Sequence, residues 1–395
     1  MVTSKRGSKD LIRAINYSII LNKIKEIGPV SRAELAKVTG LSSATLTGIS
    51  AQIIADGLIF EKEMGESKGG RKPILLALNP SGGYAVGIKL TENTLIGVLV
   101  NFVGEIIERY NMKLVSKTPE SVADLIGNLT EELIKRSQVP KDKLLGVGVG
   151  AAGLVDFDRG MLITSPFFRW RNVPFSQLVQ NRVGVKTYVD NDVNTLMVAE
   201  QLFGAGQNLE HFITITIGRG LGMGIVVNGQ IYRGVKSAGE FGHITVHSNG
   251  RQCACGKRGC LETLVSDEGL LISGREVCSE PVDSVDDLLQ LAESDHNNAQ
   301  NVFAQAGTLL GAQIANLITV LSPMRIIIGG EGVRFGDWIF KPMHQTIKEN
   351  IMPYQGEATE VVVEPWGDDR WAVGAACLVL GEFVKSPLYR NSSYD

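Results

Sequence analysis

Cysteine is scarce in this chain, at 5 of 395 residues, and three of the five fall within eight positions, Cys253 to Cys260. A framework of disulfides stapling the whole chain is therefore not expected. Long uninterrupted apolar runs are also missing. The most apolar stretch, 309–330, is broken by Gln313, Asn316, Ser322, Pro323 and Arg325. That is poor material for a lipid-exposed helix, and it reads as a buried helix followed by a strand, with no membrane partner expected. The first ten residues, MVTSKRGSKD, carry no apolar core behind their basic side chains, so they do not read as a secretory signal and a cytoplasmic protein is expected. No charge of one sign dominates, with 39 Lys plus Arg against 42 Asp plus Glu. The balance is uneven, however. Residues 1–75 hold 12 basic against 7 acidic side chains, which leaves 27 against 35 for the rest. A basic head on an acidic body suits a DNA-reading module joined to a ligand-binding body, although a solvated helical face is equally basic. At this length the chain has room for two or three domains with cores of their own.

What is present centres on GEFGHITVHSNGRQCACGKRGCLE, residues 239–262. His243 stands beside Cys253, Cys255 and Cys260, and this mixture of imidazole and thiolates at short spacing predicts a tetrahedral zinc site. Cysteine also serves as a small buried hydrophobe, but clustering beside a histidine favours the metal. Four protein donors leave no position for a metal-bound water, so the zinc is expected to be structural. Glu240 and Glu262 flank the ligands and place two carboxylates next to an ordered loop.

In chain order, apolar residues from Leu11 to Ile27 recur at helical spacing and stop at Gly28 and Pro29. Ser31, with Glu34 three residues on, opens a second helix as a capping box. Thr39 and Gly40 make a turn, and a third helix is predicted over about 42–56. Two short helices joined at a glycine turn make a helix-turn-helix. Its second helix would offer Ser42, Ser43, Thr45 and Thr47 to DNA, and Leu46, Ile49, Ile53 and Ile54 to the core. The segment 57–79 adds two short strands around a polar, glycine-rich tip whose Arg71 and Lys72 would reach the minor groove or a phosphate. A three-helix bundle without DNA is the other reading of the first half; the added wing favours a winged helix-turn-helix over 1–80.

The body repeats a plan. Residues 84–114 read as three strands joined by tight turns, followed by a helix and the strand LLGVGVG, and 211–234 return to strand, turn, strand, turn and short strand. Such duplication predicts an α/β body of two lobes on one plan, as in actin-like (ribonuclease H-like) sugar kinases and heat-shock ATPases. The first lobe is expected over 81–193, completed by a C-terminal helix at about 371–385, and the second over 194–370. Ligands would lie in the cleft between the lobes. Asp190, Asn191 and Asp192 sit where a strand gives way to a helix, a place suited to sugar hydroxyls but also to simple helix capping. Glycines at 218, 220, 222 and 224, and the run IIIGGEG at 326–332, suit phosphate or merely end strands. Arg219 would serve an anion or an acidic neighbour equally well.

Together VDNDVN, IGRGLGMG, AGEFGH with CACGKRGCLE, and IIIGGEG resemble the ROK family of sugar kinases and repressors, over about 81–385. Near the N-terminus, SRAELAKVTGLSSATLTGISAQIIADGLI and GGRKP resemble the winged helix of the family's regulators, which include xylose and N-acetylglucosamine repressors. The resemblance implies sugar contacts by Asn191, Asp192, Glu240, His243 and Glu262. It also implies that the counterpart of Asp192 is the base in the kinases, and that His243 serves both zinc and the cleft. Family kinases open the first lobe with an Asp and a Gly-Gly-Thr turn for Mg-ATP, whereas this chain has GIKLTENTL. Phosphoryl transfer depends on such donors and on metal-bridged phosphates. Phe167, in SPFFRW, stands where the family often has a polar Asn, which implies a less polar wall. The expectation is therefore a non-enzymatic, sugar-responsive DNA-binding regulator with structural zinc, acting on a double-stranded operator as a homodimer or dimer of dimers. A sugar kinase with a fused DNA-binding domain is the alternative, and a scaffold governed by a protein partner a third possibility.

Overall fold

A computed structural model describes residues 9–63, 74–235, 237–356, 358–367 and 369–385. The chain divides into two compact units, one running to Phe203 and resuming at Asp369, the other spanning Gly204–Asp368.

The first unit begins with helices α1 (Lys9–Ile27), α2 (Arg32–Thr39) and α3 (Ser43–Ala55). Ser31 caps α2 by accepting from the Glu34 N–H at 3.2 Å, and the Gly40 N–H closes its end on the Ala36 carbonyl at 3.0 Å. The chain then bends by 116° into α3. Strands β1 (Val30–Ser31), β2 (Ile59–Glu63) and β3 (Ile74–Leu78) pair antiparallel in the order β1-β3-β2. The connection between β2 and β3, with the predicted DNA contacts Arg71 and Lys72, lies outside the described residues. Leu46, Ile49 and Ile53 of α3 are buried with Ile20, Leu21 and Ile24 of α1, as the periodicity predicts, while Ile54 is only half-buried.

Strands β4 (Tyr84–Leu90), β5 (Thr94–Asn101), β6 (Ile106–Lys113), β7 (Leu144–Ala151) and β11 (Thr187–Asn191) form a sheet in the order β11-β7-β4-β5-β6. A small antiparallel sheet of β8 (Leu154–Asp156), β9 (Met161–Thr164) and β10 (Arg171–Val173) is inserted after β7. Helices α4 (Pro119–Ser137) and α5 (Phe175–Val183) share one apolar core with the large sheet. Another core is built with α6 (Asp192–Phe203) and the C-terminal helix Arg370–Val384. The C-terminal helix lies directly on two glycines, since a Cβ on Gly87 or Gly148 would run into the carbonyl of Ala372 or Ala375.

Two boundaries differ from expectation. The first unit extends through α6 to Phe203 because α6 packs along the C-terminal helix, where a Cβ on Gly374 would meet the Thr195 carbonyl at 2.7 Å. The head is also continuous with this lobe: Ile20, Leu21, Ile24, Leu46 and Ile53 share one buried cluster with Val98, Phe102, Leu202, Cys377 and Leu380. A head of this size buries a smaller fraction of its surface alone than a larger domain does, so a shared core adds contact area.

The second unit has strands β12 (Phe212–Ile217), β13 (Leu221–Val227), β14 (Gln230–Ile231), β15 (Arg325–Gly329) and β16 (Glu360–Val363), ordered β14-β13-β12-β15-β16. This is the order of the first large sheet, with the same antiparallel hairpins followed by two parallel strands. The repeat that the sequence suggested is therefore a repeat of topology. The helix Asn297–Leu321 has the length and apolar content of a membrane span, but Val302, Phe303, Leu310, Ile314 and Ile318 are buried in this unit's core.

Candidate functional site

His243, Cys253, Cys255 and Cys260 converge, with one donor atom from each lying within 4.8 Å of all the others. The Cys255 and Cys260 sulfurs are 3.7 Å apart, and the Cys253 sulfur is 3.6 Å from His243 Nδ1. Zinc–sulfur bonds of about 2.3 Å and zinc–nitrogen bonds of about 2.0–2.1 Å give tetrahedral edges of about 3.8 Å and 3.6 Å. These two separations match the edges of a four-coordinate site. Burial pushes the Cys260 thiol up to about 12, and the thiols of Cys255 and Cys253 act in the same direction. A bound cation would allow neighbouring thiols such as these to ionise together.

Local structure explains the convergence. His243 ends a 3-10 turn, Phe241–His243, and bridges at Thr245–Cys260 and Gln252–Arg258 fold the loop back on itself. The Cys253 N–H donates to the Lys257 carbonyl at 2.8 Å, and the Gly256 N–H to the Cys253 carbonyl at 3.0 Å. Gly259 has φ +68°, and a Cβ there would run into the His247 carbonyl, so only glycine fits. Arg251 braces the loop from below by donating to the carbonyls of Thr263 and Gly269, each at 3.1 Å, and by pairing with Glu276 at 2.5 Å. Nothing in the sequence pattern marks Arg251 for this role, because its partners lie 12 to 25 residues away.

The flanking carboxylates meet the histidine. Glu262 Oε1 is 3.9 Å from His243 Nδ1, while its Oε2 accepts from the Leu221 N–H at 3.0 Å. Glu240 Oε2 lies 3.9 Å from His243 Nε2, and its Oε1 accepts from the Ser237 hydroxyl at 2.5 Å. Nδ1 thus faces the Cys253 sulfur and the Glu262 carboxylate, and Nε2 the Glu240 carboxylate, so the ring's orientation is set from both sides.

The other two predicted sugar contacts belong to the first unit. Asn191 closes β11 and Asp192 opens α6. Both also serve the helix end: Asn191 Oδ1 and Asp192 Oδ1 accept from the Val193 N–H at 2.9 and 3.0 Å. Asn191 Nδ2 donates to the Gly153 carbonyl at 3.1 Å. Asp190, 1% exposed, is a framework residue that accepts from the Asn191 N–H and the Asn194 amide.

The glycine-rich turns are occupied by the protein itself. The Gly218 N–H bonds the Gly220 carbonyl at 3.1 Å, the Glu331 carboxylate lies against Gly218, and Arg219 is exposed. In the β4–β5 turn, Thr91 and Thr94 close on one another through backbone and hydroxyl bonds of 2.8–3.0 Å. Lys89 sits with its ammonium 4.0 Å from the centre of the Trp371 ring.

At the head, the Ser42 hydroxyl caps α3 by accepting from the Thr45 N–H at 3.2 Å and exchanges a 2.9 Å bond with the Thr45 hydroxyl. The Thr47 hydroxyl donates to the Ser43 carbonyl at 2.8 Å. Ser42, Ser43 and Thr47 are exposed and Thr45 is half-buried.

The ROK family model matches residues 85–382. The chain is 31% identical over 397 residues to a putative xylose repressor of Caldicellulosiruptor sp. strain Rt8B.4, covering 97% of this chain and 100% of the relative. It is 29% identical to the DNA-binding transcriptional dual regulator NagC of Escherichia coli strain K12, with 94% of each covered. A crystal structure of a ROK family transcriptional regulator, a homologue of the E. coli MLC protein, superposes with TM-score 0.83 at 26% identity over 95% of this chain and 97% of the other. A ROK family glucokinase from Streptomyces griseus, solved with glucose and AMPPNP, superposes with TM-score 0.64 at 28% identity, covering 75% of this chain and 99% of the enzyme.

Proposed function

The chain belongs to the ROK family, and on that premise we propose that it is a sugar-responsive transcriptional repressor that binds an operator and leaves it when a sugar binds the body. The observation that carries this reading is coverage: a putative xylose repressor aligns from end to end with the chain, head included, whereas the glucokinase accounts for 75% of it. An operator-binding role places the protein with the DNA in the cytoplasm.

The head is a winged helix-turn-helix in this reading, supported by the 116° bend between α2 and α3 and by the antiparallel sheet beside them. Ser42, Ser43, Thr45 and Thr47 are its candidate major-groove contacts, and Arg71 and Lys72 those of the wing. A homodimer would set two heads on the half-sites of an inverted repeat, and a dimer of dimers would engage two such sites. His243, Cys253, Cys255 and Cys260 hold one zinc ion, which when bound neutralises the thiolates and fixes the imidazole. His243, Glu240 and Glu262 thereby keep their orientation as the proposed sugar contacts of the second unit, and Asn191 and Asp192 are the proposed sugar contacts of the first.

A kinase with a DNA-binding head is the competing reading, and two side chains argue against it. Lys89 puts a cation where the resemblance calls for an acidic residue, and Glu331 puts a carboxylate against a turn that would receive phosphate. Both reverse the charge pattern that binds Mg-ATP. Sugar-dependent ADP release, abolished by Asp192→Asn, would establish the kinase instead.

Induction needs a coupling of only about 1–3 kcal/mol, or 5- to 150-fold in operator affinity. Among pentoses, hexoses, amino sugars and their phosphates, at least one is expected to raise the melting temperature and weaken operator binding by about tenfold or more. Asp192→Asn should weaken that sugar by about 10- to 100-fold, as expected when a charged hydrogen-bond partner is lost. A panel that moves neither melting nor operator affinity would remove the induction model.

A further inference from the structure

Two helices of the first unit run side by side in the same direction: a Cβ on Gly374 would meet the Thr195 carbonyl, and one on Gly381 the side chains of Val198 and Leu202. The first residue of the C-terminal helix, Arg370, is tied to the second half of α6, where the buried Glu200 carboxylate, 1% exposed, accepts from it at 2.6 Å. Their C-terminal ends both reach α1. Lys25 donates to the carbonyl of Leu202, in the last turn of α6, at 3.2 Å, and its ammonium lies 5.9 Å from the centre of the Phe203 ring. Asn22, one turn earlier on α1, donates to the Val384 carbonyl at the end of the C-terminal helix at 2.5 Å. A helix end exposes carbonyls without intrahelical partners and carries partial negative charge, so a cation and an amide are suitable caps.

The same α1 is tied to α3. Arg13 donates to Gln52 Oε1 at 2.9 and 2.6 Å, and the Tyr17 hydroxyl donates to Asp56 Oδ2 at 2.7 Å. Asp192 thus opens a helix whose far end, about 18 Å away along twelve residues, is held by the helix that positions α3. Burial lowers the Lys25 pKa, consistent with an ammonium that depends on fixed protein partners.

We propose that Lys25, with Asn22, is the positioning residue that transmits occupancy at Asp192 to the DNA-reading helices, by capping α6 and the C-terminal helix from α1. The inference rests on the proposed sugar-responsive function, and its test separates the two. Lys25→Met keeps the apolar stem and removes the donor. With D-xylose and N-acetylglucosamine as probes, and an operator selected from random DNA by the wild-type protein, the variant is expected to bind the active sugar within threefold of wild type. Its operator affinity should then respond to that sugar by less than threefold, where wild type responds by tenfold or more. Lys25→Arg, which keeps a donor, should recover most of the response. A Lys25→Met protein with the full wild-type response overturns the proposal. Should neither probe act on wild type, a sugar-free cycle decides it: Asp192→Asn and Lys25→Met, singly and together, are expected to depart from additivity in operator affinity by fivefold or more, and additivity within twofold overturns it.

Discussion

Cys260→Ser protein is expected to emerge from purification with less than about 0.1 zinc per chain, against about one for wild type. Cys260 is fully buried, and its sulfur lies 3.7 Å from that of Cys255. A serine hydroxyl is a harder, more weakly binding group and leaves a three-donor site. Without the ion, two thiols and an imidazole remain crowded in a loop otherwise held by a few backbone bonds and Arg251. Loss of a structural metal is among the few single-site changes that cost on the order of 4 kcal/mol or more. The variant should therefore melt well below wild type. Sugar affinity should fall by about tenfold or more, since His243 orients between Glu240 and Glu262. Cys278→Ser, outside the cluster, is the control and should keep its metal. Wild-type protein that proves native, sugar-responsive and zinc-free would remove the site.

Gly148→Ala should destabilise the first unit by about 3 kcal/mol or more, although it adds one methyl group. That methyl would overlap the Ala375 carbonyl, and the neighbouring strand makes a matching approach at Gly87 against Ala372 and Ala376. Overpacking of a filled interior typically costs about 1–3 kcal/mol when side chains can yield; here the obstacle is helix backbone. The C-terminal helix cannot lift without disturbing α6 beside it and the Asn22 bond to Val384. Thermal melting should record a fall of several degrees, together with weakened operator binding. Gly48→Ala, exposed on α3 with nothing within 4 Å of its new methyl, is the counterpart and should be neutral or stabilising by up to about 1 kcal/mol. Equal melting of the two variants would contradict the close approach of helix and sheet.

Much of the candidate site could be read before folding was considered. Cys253, Cys255, Cys260 and His243 are close in the chain, so their spacing already limits them to one loop. Glu240 and Glu262 flank that loop and arrive beside His243 for the same reason. Asn191 and Asp192 were legible as the meeting of a strand and a helix, although the pattern could not separate ligand contact from capping, and their side chains do cap α6. Arg251, Lys89 and Glu331 were less legible. Each acts on partners brought in by another element, Trp371 for Lys89 and Gly218 for Glu331.

By itself the sequence determined the three helices of the head, the duplicated strand order of the body and the clustering of four candidate metal donors, because periods of 2 and 3.6 residues and short ligand spacings are local properties. Only the tertiary structure decided that the head shares a core with the first lobe, that α6 belongs to that lobe, and that α1 caps two distant helices. The Lys25–Leu202 and Asn22–Val384 bonds span 177 and 362 residues. At such separations no local pattern distinguishes a capping lysine or asparagine from a solvated one, and the choice is made by which apolar faces must be buried together.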